Sequence, residues 1–524
     1  MRAPRARLAA ATLAAGSLLL SGCTSGSEDS IPPPQRSTRA TTAADAGTVQ
    51  PASDPHEVDT DDPSLGAALS TPVEDRVYPQ VGDPGVDALH YDLDLAWTPG
   101  SQTLTAVEKL VFRATSDAEE FRLDLGQALH VSSVAVDGDD ASYDHEGKDL
   151  VVHAPVTADR RYTLVLKYAG SPRPVSAPTT RSDFSTLGWT VTDDGGVWTM
   201  QEPFGAYSWY AVNDQPSDKA LYDFTISVPS PMVGVANGTL ESREETGGTT
   251  VTRWHLDEPA ASYLTTIAID ELRMVRDRSA SGVPVTYWVP GDRPRLVRGL
   301  RPAADELDWI EDRLGPYPFS SLGVVLVDSR SGMETQTMIT LGMTDYTTSP
   351  EVIVHEMVHQ WYGDEVTPSD WRDLWMSEGM ALYLQGLWQA EHDGFAVRDL
   401  MRRWADAEPQ MRRESGPAAD YDPATFGEGN VYYSPALMWD ELRKRVGDET
   451  FWSVVRAWPK AHEDANASYD DLVSFWSQRT GRDLAPFFDA WLLGKTSPPP
   501  PDADPSLVPP TANSLARMTR PGVG

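Results

Sequence analysis

Residues 351–383 read EVIVHEMVHQWYGDEVTPSDWRDLWMSEGMALY, and His355-Glu356-Met357-Val358-His359 within them sets two histidines four positions apart. On an α-helix that spacing turns both imidazoles to one face, a single turn apart, where they can reach one metal ion. Eighteen residues further on comes Glu378. It lies on a second helical pattern, residues 374–388, and is the candidate third ligand. Ser349, Pro350 and Glu351 are start signals for the first helix, as N-cap, first helical residue and first-turn acid, and Gly363 marks its end. Two histidines and one carboxylate leave a fourth tetrahedral position open, which separates a catalytic zinc site from a closed structural one. Water in that position would have its pKa lowered to about 7. Glu356 stands beside the metal without binding it and is placed to take that proton as the water attacks a polarised carbonyl. The flanking Trp375, Gly379, Ala381 and Tyr383 make the pattern more specific than a bare HExxH.

The chain has 524 residues, 40% of them hydrophobic, enough for two or three domains each with its own core. A formal charge of -35 argues against nucleic acid as a partner, because nucleic-acid-binding faces are basic. Arg2, Arg5 and Arg7, an apolar run over residues 8–20 and then Leu20-Ser21-Gly22-Cys23 resemble a bacterial lipoprotein signal and lipobox. The run is too short to span a bilayer. Cys23 is the only cysteine, so no internal disulfide and no cysteine-rich zinc site can form, and lipidation gives that thiol a use. The expectation is an exported, extracytoplasmic protein that meets the membrane through a lipid anchor alone.

Five segments follow. Residues 1–23 are the signal and 24–80 a disordered tether, rich in Ser, Thr, Pro, Ala and Asp, with a reach of roughly 40 Å. Residues 81–275 hold alternating apolar and polar runs, such as 89–95, 104–112, 161–168 and 221–228, that predict a mostly antiparallel, saddle-like β domain. His90, His130, His145, His153 and His255 lie in or near these strands without a partner at ligand spacing, which assigns them to surface or strand packing. Residues 276–496 change to helical patterns after a buried strand at 322–327. The helices are predicted at 302–314, 396–406, 434–446, 450–457, 469–479 and 484–493, beside the two metal helices. Residues 497–524 form a disordered Pro-rich tail.

Over residues 81–496 the sequence resembles the M1 family of zinc aminopeptidases, gluzincins that include aminopeptidase N and leukotriene A4 hydrolase. The resemblance rests on HEMVH-x18-E, on Ser331-Gly332-Met333-Glu334-Thr335 against the family's GxMEN motif, and on Glu202-Pro203 with the 214–220 segment DQPSDKA. It implies a thermolysin-like α/β-to-helical catalytic domain behind the β domain, one Zn²⁺ per chain, and peptide substrates with a free N-terminus. In the family, the GxMEN glutamate binds the substrate's α-amino group. Glu334 takes that place, Glu202 is the second amine contact, and backbone around Gly332 and Met333 lines the substrate's path. The family's transition-state tyrosine corresponds to Tyr432 in Val431-Tyr432-Tyr433-Ser434-Pro435-Ala436, with Tyr433 as the alternative. Ser331 stands for the motif's first Gly, Thr335 for its Asn, and Pro435 for a usual Gly, expected in the first turn of its helix. Two other readings stay open: an endopeptidase on the same scaffold, against which Glu334 speaks, and a non-catalytic peptide-binding module, against which the complete ligand set and base speak.

Overall fold

A computed structural model of the chain describes residues 48–52 and 60–498. The signal, Cys23, residues 24–47 and 53–59 and the tail from 499 onward lie outside the described residues.

Strand Val86–Thr98 is buried along its whole length. It lies inside an eight-stranded sheet, with Thr103–Ala114 antiparallel on one side and Lys219–Pro229 parallel on the other. Tyr91 pairs with Leu110 and Tyr222 in this register, and the Tyr91 and Tyr222 rings stack at 5.1 Å. A five-stranded sheet runs in the order Val233–Ala236, Ile267–Asp270, Val197–Met200, Thr186–Val191, Val175–Ser176, and a three-stranded sheet joins Phe121–Asp124, Asp149–His153 and Ser142–Glu146. Strand Val197–Met200 runs directly into Glu202 and so delivers that acid to the site. The predicted β domain is present and, apart from the one parallel pair, antiparallel.

The second sheet system runs Leu272–Arg278, Pro284–Pro290, Leu322–Val327, Met338–Gly342, Gly332–Met333. Its three middle strands are parallel and its two edges antiparallel. The expected boundary at 275/276 is thereby corrected. Leu272–Arg278 alternates like the strands before it, but it hydrogen-bonds to Pro284–Pro290 and belongs to the catalytic half.

Ordered structure also begins earlier than residue 81. Within the expected tether, Leu65 and Ala68 bury against Leu89, Val111 and Leu221, and Val77 enters the main β core. The Arg76 backbone N–H and Nε both donate to Asp370 Oδ2 at 2.8 Å, and Tyr78 donates to the Pro423 carbonyl at 2.9 Å. A stretch this polar builds no core of its own, yet a few apolar residues, Val49, Leu65, Ala68 and Val77, are buried because a finished sheet offers them a surface.

The helices keep their predicted order with shifted ends. The 302–314 pattern is broken at Glu306 into Pro302–Asp305 and Leu307–Leu314. The first metal helix, Pro350–His359, stops at Gln360 rather than running on to Gly363. The Glu378 helix, Trp375–Asp393, ends on Gly394 in the left-handed region at φ 72°, where glycine carries no Cβ penalty. The next, Val397–Ser415, is longer than expected, and the tyrosine helix begins at Gly429 and runs to Val446. Pro435 therefore lies in the second turn, not the first, and removes one helical hydrogen bond there. Two large apolar clusters result, one within the catalytic half and one that runs from the β domain into it through Val325, Met338, Trp371 and Phe426, and Tyr432 packs against both.

Of the strand histidines, His90 and His255 share Asp223, at 2.9 Å and 2.6 Å, and His255 also meets Asp257 at 2.6 Å. The hydrogen bond to Asp223 raises the His255 imidazole to about 9 against the opposing effect of burial, with Asp257 and Glu241 adding to the rise. The fold thus binds this proton more tightly than the unfolded chain, whose histidines titrate near about 6.5. The contribution is full below that pH and is lost as pH rises through about 9. His255→Gln should lower the unfolding free energy near pH 6 by less than about 1 kcal/mol, since the group is part-exposed, and by almost nothing near pH 10, as read by urea titration at both pH values.

Candidate active site

Helix Pro350–His359 buries Val352, Ile353, Val354, Met357 and Val358 and so turns His355, Glu356 and His359 toward the cleft. Ser349 holds the extended N-cap conformation, although its hydroxyl makes no capping bond. Proline at the first position and Glu351 in the first turn carry the start. Glu378 enters from the first turn of the next helix and is buried. The three donors meet: His355 Nε2 and His359 Nε2 are 3.2 Å apart, and Glu378 Oε2 is 3.3 Å and 3.4 Å from them.

These spacings fit a shared cation. Ligands held about 2.0–2.1 Å from a tetrahedral zinc stand about 3.3–3.4 Å from one another. Glu378 Oε2 is buried and faces both imidazoles without a proper hydrogen bond to either, which is how a carboxylate oxygen aimed at a metal rather than at a donor stands. His359 Nδ1 lies 3.2 Å from the Tyr362 carbonyl, so Nε2 is the nitrogen left for the metal. Although burial works the other way, the two imidazoles hold the Glu378 carboxyl well below the usual range.

Three more carboxylates crowd the same space. Glu334, Glu356 and His359 offer atoms within 4.8 Å of one another. Burial, and next to it Glu334, raises Glu356 to about 8. Burial also raises Glu334. Burial followed by the charges of Glu334 and Glu378 raises Glu202 well above its usual value. The structure thus brings Glu202, Glu334, Glu356 and Glu378 into one pocket. Gly332 and Met333 form the edge strand beside it, and a Cβ on Gly332 would stand 2.8 Å from Glu356 Oε1.

Of the two tyrosines, Tyr432 faces the site, its ring 6.1 Å from that of His355. Tyr433 is buried edge-on against Trp404 at 5.6 Å. Gly379, directly after Glu378, explains how the tyrosine helix comes so near. A Cβ there would meet Pro435 Cβ at 2.4 Å. The proline that departs from the family pattern is the surface seated on that glycine.

Several site residues were not legible in the sequence. Gln360, next to His359, donates to the Glu334 carbonyl at 3.0 Å and to Asp364 Oδ2 at 2.7 Å. Its Oε1 accepts from Thr337 N–H at 2.9 Å and Tyr317 hydroxyl at 3.1 Å. It therefore pins the Glu334 turn to the metal helix. Lys219, part of the 214–220 segment that carries the resemblance but without a role there, is buried and donates to the carbonyls of Asp364 and Glu365 at 2.8 Å and 3.0 Å. Arg181 and Asp183 approach Tyr432 from a β-domain loop.

Fold and donor set together define a two-domain metalloprotein of the gluzincin type. The peptidase M1 N-terminal domain matches residues 87–264 and the peptidase family M1 domain residues 300–491, more than half of the chain between them. The chain belongs to peptidase family M1. Aminopeptidase N of Streptomyces lividans is 25% identical over 453 residues, which cover 78% of this chain and 50% of that protein. A probable aminopeptidase 1 of Saccharolobus solfataricus is 24% identical over 410 residues, 72% of this chain and 50% of that one. The chain spans about half the length of these curated relatives. The M1 zinc metallopeptidase of Deinococcus radiodurans superposes with a TM-score of 0.71 at 26% identity, over 82% of this chain and 99% of that one. A mutant of that enzyme bound to a Tyr-Ser-Ala substrate gives 0.72 at 25% identity, with the same coverage.

The Gly379–Pro435 contact is open to test. Gly379→Ala should cost about 1–3 kcal/mol of stability through overpacking, and Pro435→Gly in that background should restore part of it. Thermal unfolding of the two single variants and the double variant measures the coupling, and strictly additive losses would contradict the contact.

Proposed function

We propose that this chain is a zinc-dependent aminopeptidase that removes N-terminal residues from peptides. The observation that carries the reading is the pocket of four carboxylates. A divalent metal on His355, His359 and Glu378 would answer part of that negative charge, while among the described residues neither Glu202 nor Glu334 forms an ion pair, and Arg181 only partly offsets Glu202. The ammonium of a free N-terminus is the group that supplies a cation to them, through charge-assisted hydrogen bonds. A blocked N-terminus would leave the buried Glu334 carboxylate unpaired at a cost of kilocalories, which is how an exopeptidase excludes internal bonds.

Zinc held by His355, His359 and Glu378 would polarise the scissile carbonyl and acidify water. Glu356 takes the proton from the attacking water and delivers it to the leaving amine. Tyr432 donates its hydroxyl hydrogen to the carbonyl oxygen as negative charge develops there, and burial followed by Glu378 keeps the phenol protonated by raising it well above its usual value. The edge strand Gly332–Met333 lies where an extended peptide could add to the sheet. Glu334 and Glu202 fix where the chain ends, and hence which bond reaches Glu356.

The proposal extends to location: a lipid on Cys23 holds the enzyme outside the cytoplasm, supported by the basic, apolar and lipobox order of residues 2–23. Cys23→Ser should move the protein from the membrane fraction to the soluble extracytoplasmic fraction. Unchanged fractionation would contradict the anchor.

Amino-acid p-nitroanilides should be turned over and their N-acetylated forms should not, and equal turnover would favour an endopeptidase. Glu334→Ala should lower kcat/KM on the free-amine substrate by about 10- to 100-fold. Glu356→Gln should reduce kcat by about 100-fold or more while zinc stays bound, as read by metal analysis beside steady-state kinetics.

A further inference from the structure

We propose that Arg181 is a positioning residue for Tyr432 that fixes the phenol's orientation and strengthens it as a donor; this rests on the role given to Tyr432 above. Arg181 Nη1 donates to the Tyr432 oxygen at 3.2 Å and to the Gly427 carbonyl at 3.0 Å. A phenol oxygen that accepts from a guanidinium has its own hydrogen left to give elsewhere. The acceptance also polarises the O–H bond, so the hydrogen it gives is the stronger for it. The remaining side of the guanidinium is held by Asp183 in a fork, Nε to Oδ1 at 3.1 Å and Nη2 to Oδ2 at 2.6 Å. Lysine, a point charge with a flexible stem, cannot reproduce that planar arrangement.

The loop that carries Arg181 is fastened to the approach of the tyrosine helix. Thr179 Oγ1 donates to the Phe426 carbonyl at 2.7 Å, Phe426 N–H donates to the Pro178 carbonyl at 3.1 Å, and Thr180 bonds to Glu428. Gly427 lies between them at φ 68°, and a Cβ there would come to 3.3 Å from the Phe184 ring. On the other side, Ser331 Oγ donates to Asp183 Oδ2 at 3.4 Å. That serine occupies the place where the family motif has its first glycine, and its hydroxyl joins the strand Gly332–Met333, which leads into Glu334, to the same network. Arg181 thus sits where the β domain, the amine-anchor strand and the start of the tyrosine helix meet.

A residue that only glued the loop down would lower stability and act alike whether or not Tyr432 carries its hydroxyl. The test is a double-variant cycle in the full chain, with kcat and KM measured on alanine p-nitroanilide or the fastest of a small anilide panel, and with zinc content and Tm as controls. Arg181→Met should lower kcat about 10-fold with KM changed less than about 3-fold, and Tyr432→Phe should lower kcat about 100-fold. Added to Tyr432→Phe, Arg181→Met should cost less than about 2-fold more, and Arg181→Lys should recover little. An equal loss in both backgrounds, or an unchanged kcat for Arg181→Met alone, would overturn the proposal. An unchanged kcat for Tyr432→Phe would instead overturn the role of the tyrosine, and the proposal with it. Should Arg181→Met fold poorly, Asp183→Asn leaves the guanidinium in place and loosens its fork. It should give a smaller kcat loss that likewise vanishes in Tyr432→Phe, and a loss that persists there would contradict the proposal.

Discussion

Carboxylates packed together without cations repel one another, and burial raises the cost by removing the water that would screen them. Glu202, Glu334, Glu356 and Glu378 crowd in this way around His355 and His359, with Arg181 and His359 answering only part of their charge, and both halves of the fold hold them there. The repulsion shows in the raised carboxyls of Glu202, Glu334 and Glu356, while Glu378, flanked by both imidazoles, moves the other way. Such a pocket is relieved by positive charge from outside. His355, His359 and Glu378 gather on one side of it, where a metal would sit, and Glu334 lies on the other side of His359, within the same cluster of donor atoms.

Holding four acids together takes more than the helices that bear them. Gln360 ties the backbone at 334 and 337 to the metal helix with two of its hydrogen bonds and holds Asp364 and the Tyr317 hydroxyl with the other two. Lys219 anchors the turn after that helix from the β domain, and burial lowers its pKa. Gly379 lets the tyrosine helix approach Glu378 closely, with Pro435 filling the space a side chain would take. Arg181 and Asp183 close the remaining side. The β domain therefore contributes to the candidate site, because it supplies Glu202, Arg181 and Lys219 beside Tyr432, which packs against both large apolar clusters.

What could be read from the sequence were features written in local spacing. Two histidines at i and i+4, with a glutamate early in the following helix, describe a metal site before any coordinates exist, and alternating runs describe strands. Glu334, Glu202 and Tyr432 could be named only because short motifs resemble those of known enzymes; spacing alone would not have joined them. Arg181 was invisible for the complementary reason: it lies in an irregular loop with no period and no motif, and its meaning comes from Tyr432, far away in sequence. The ordered segment at 60–80 was missed because its composition is that of a tether, whereas Leu65, Ala68 and Val77 are held by a surface made elsewhere. Pro435 was placed one turn too early because the helix start at Gly429 carries no strong capping signal.

The most direct measurement is zinc content by inductively coupled plasma mass spectrometry on the purified full chain and on Glu378→Ala. One zinc per wild-type chain, lost in the variant while the protein stays folded, is the predicted result. Wild-type protein without stoichiometric zinc, or a variant that keeps it, would contradict the two-histidine, one-glutamate centre on which the proposed chemistry stands.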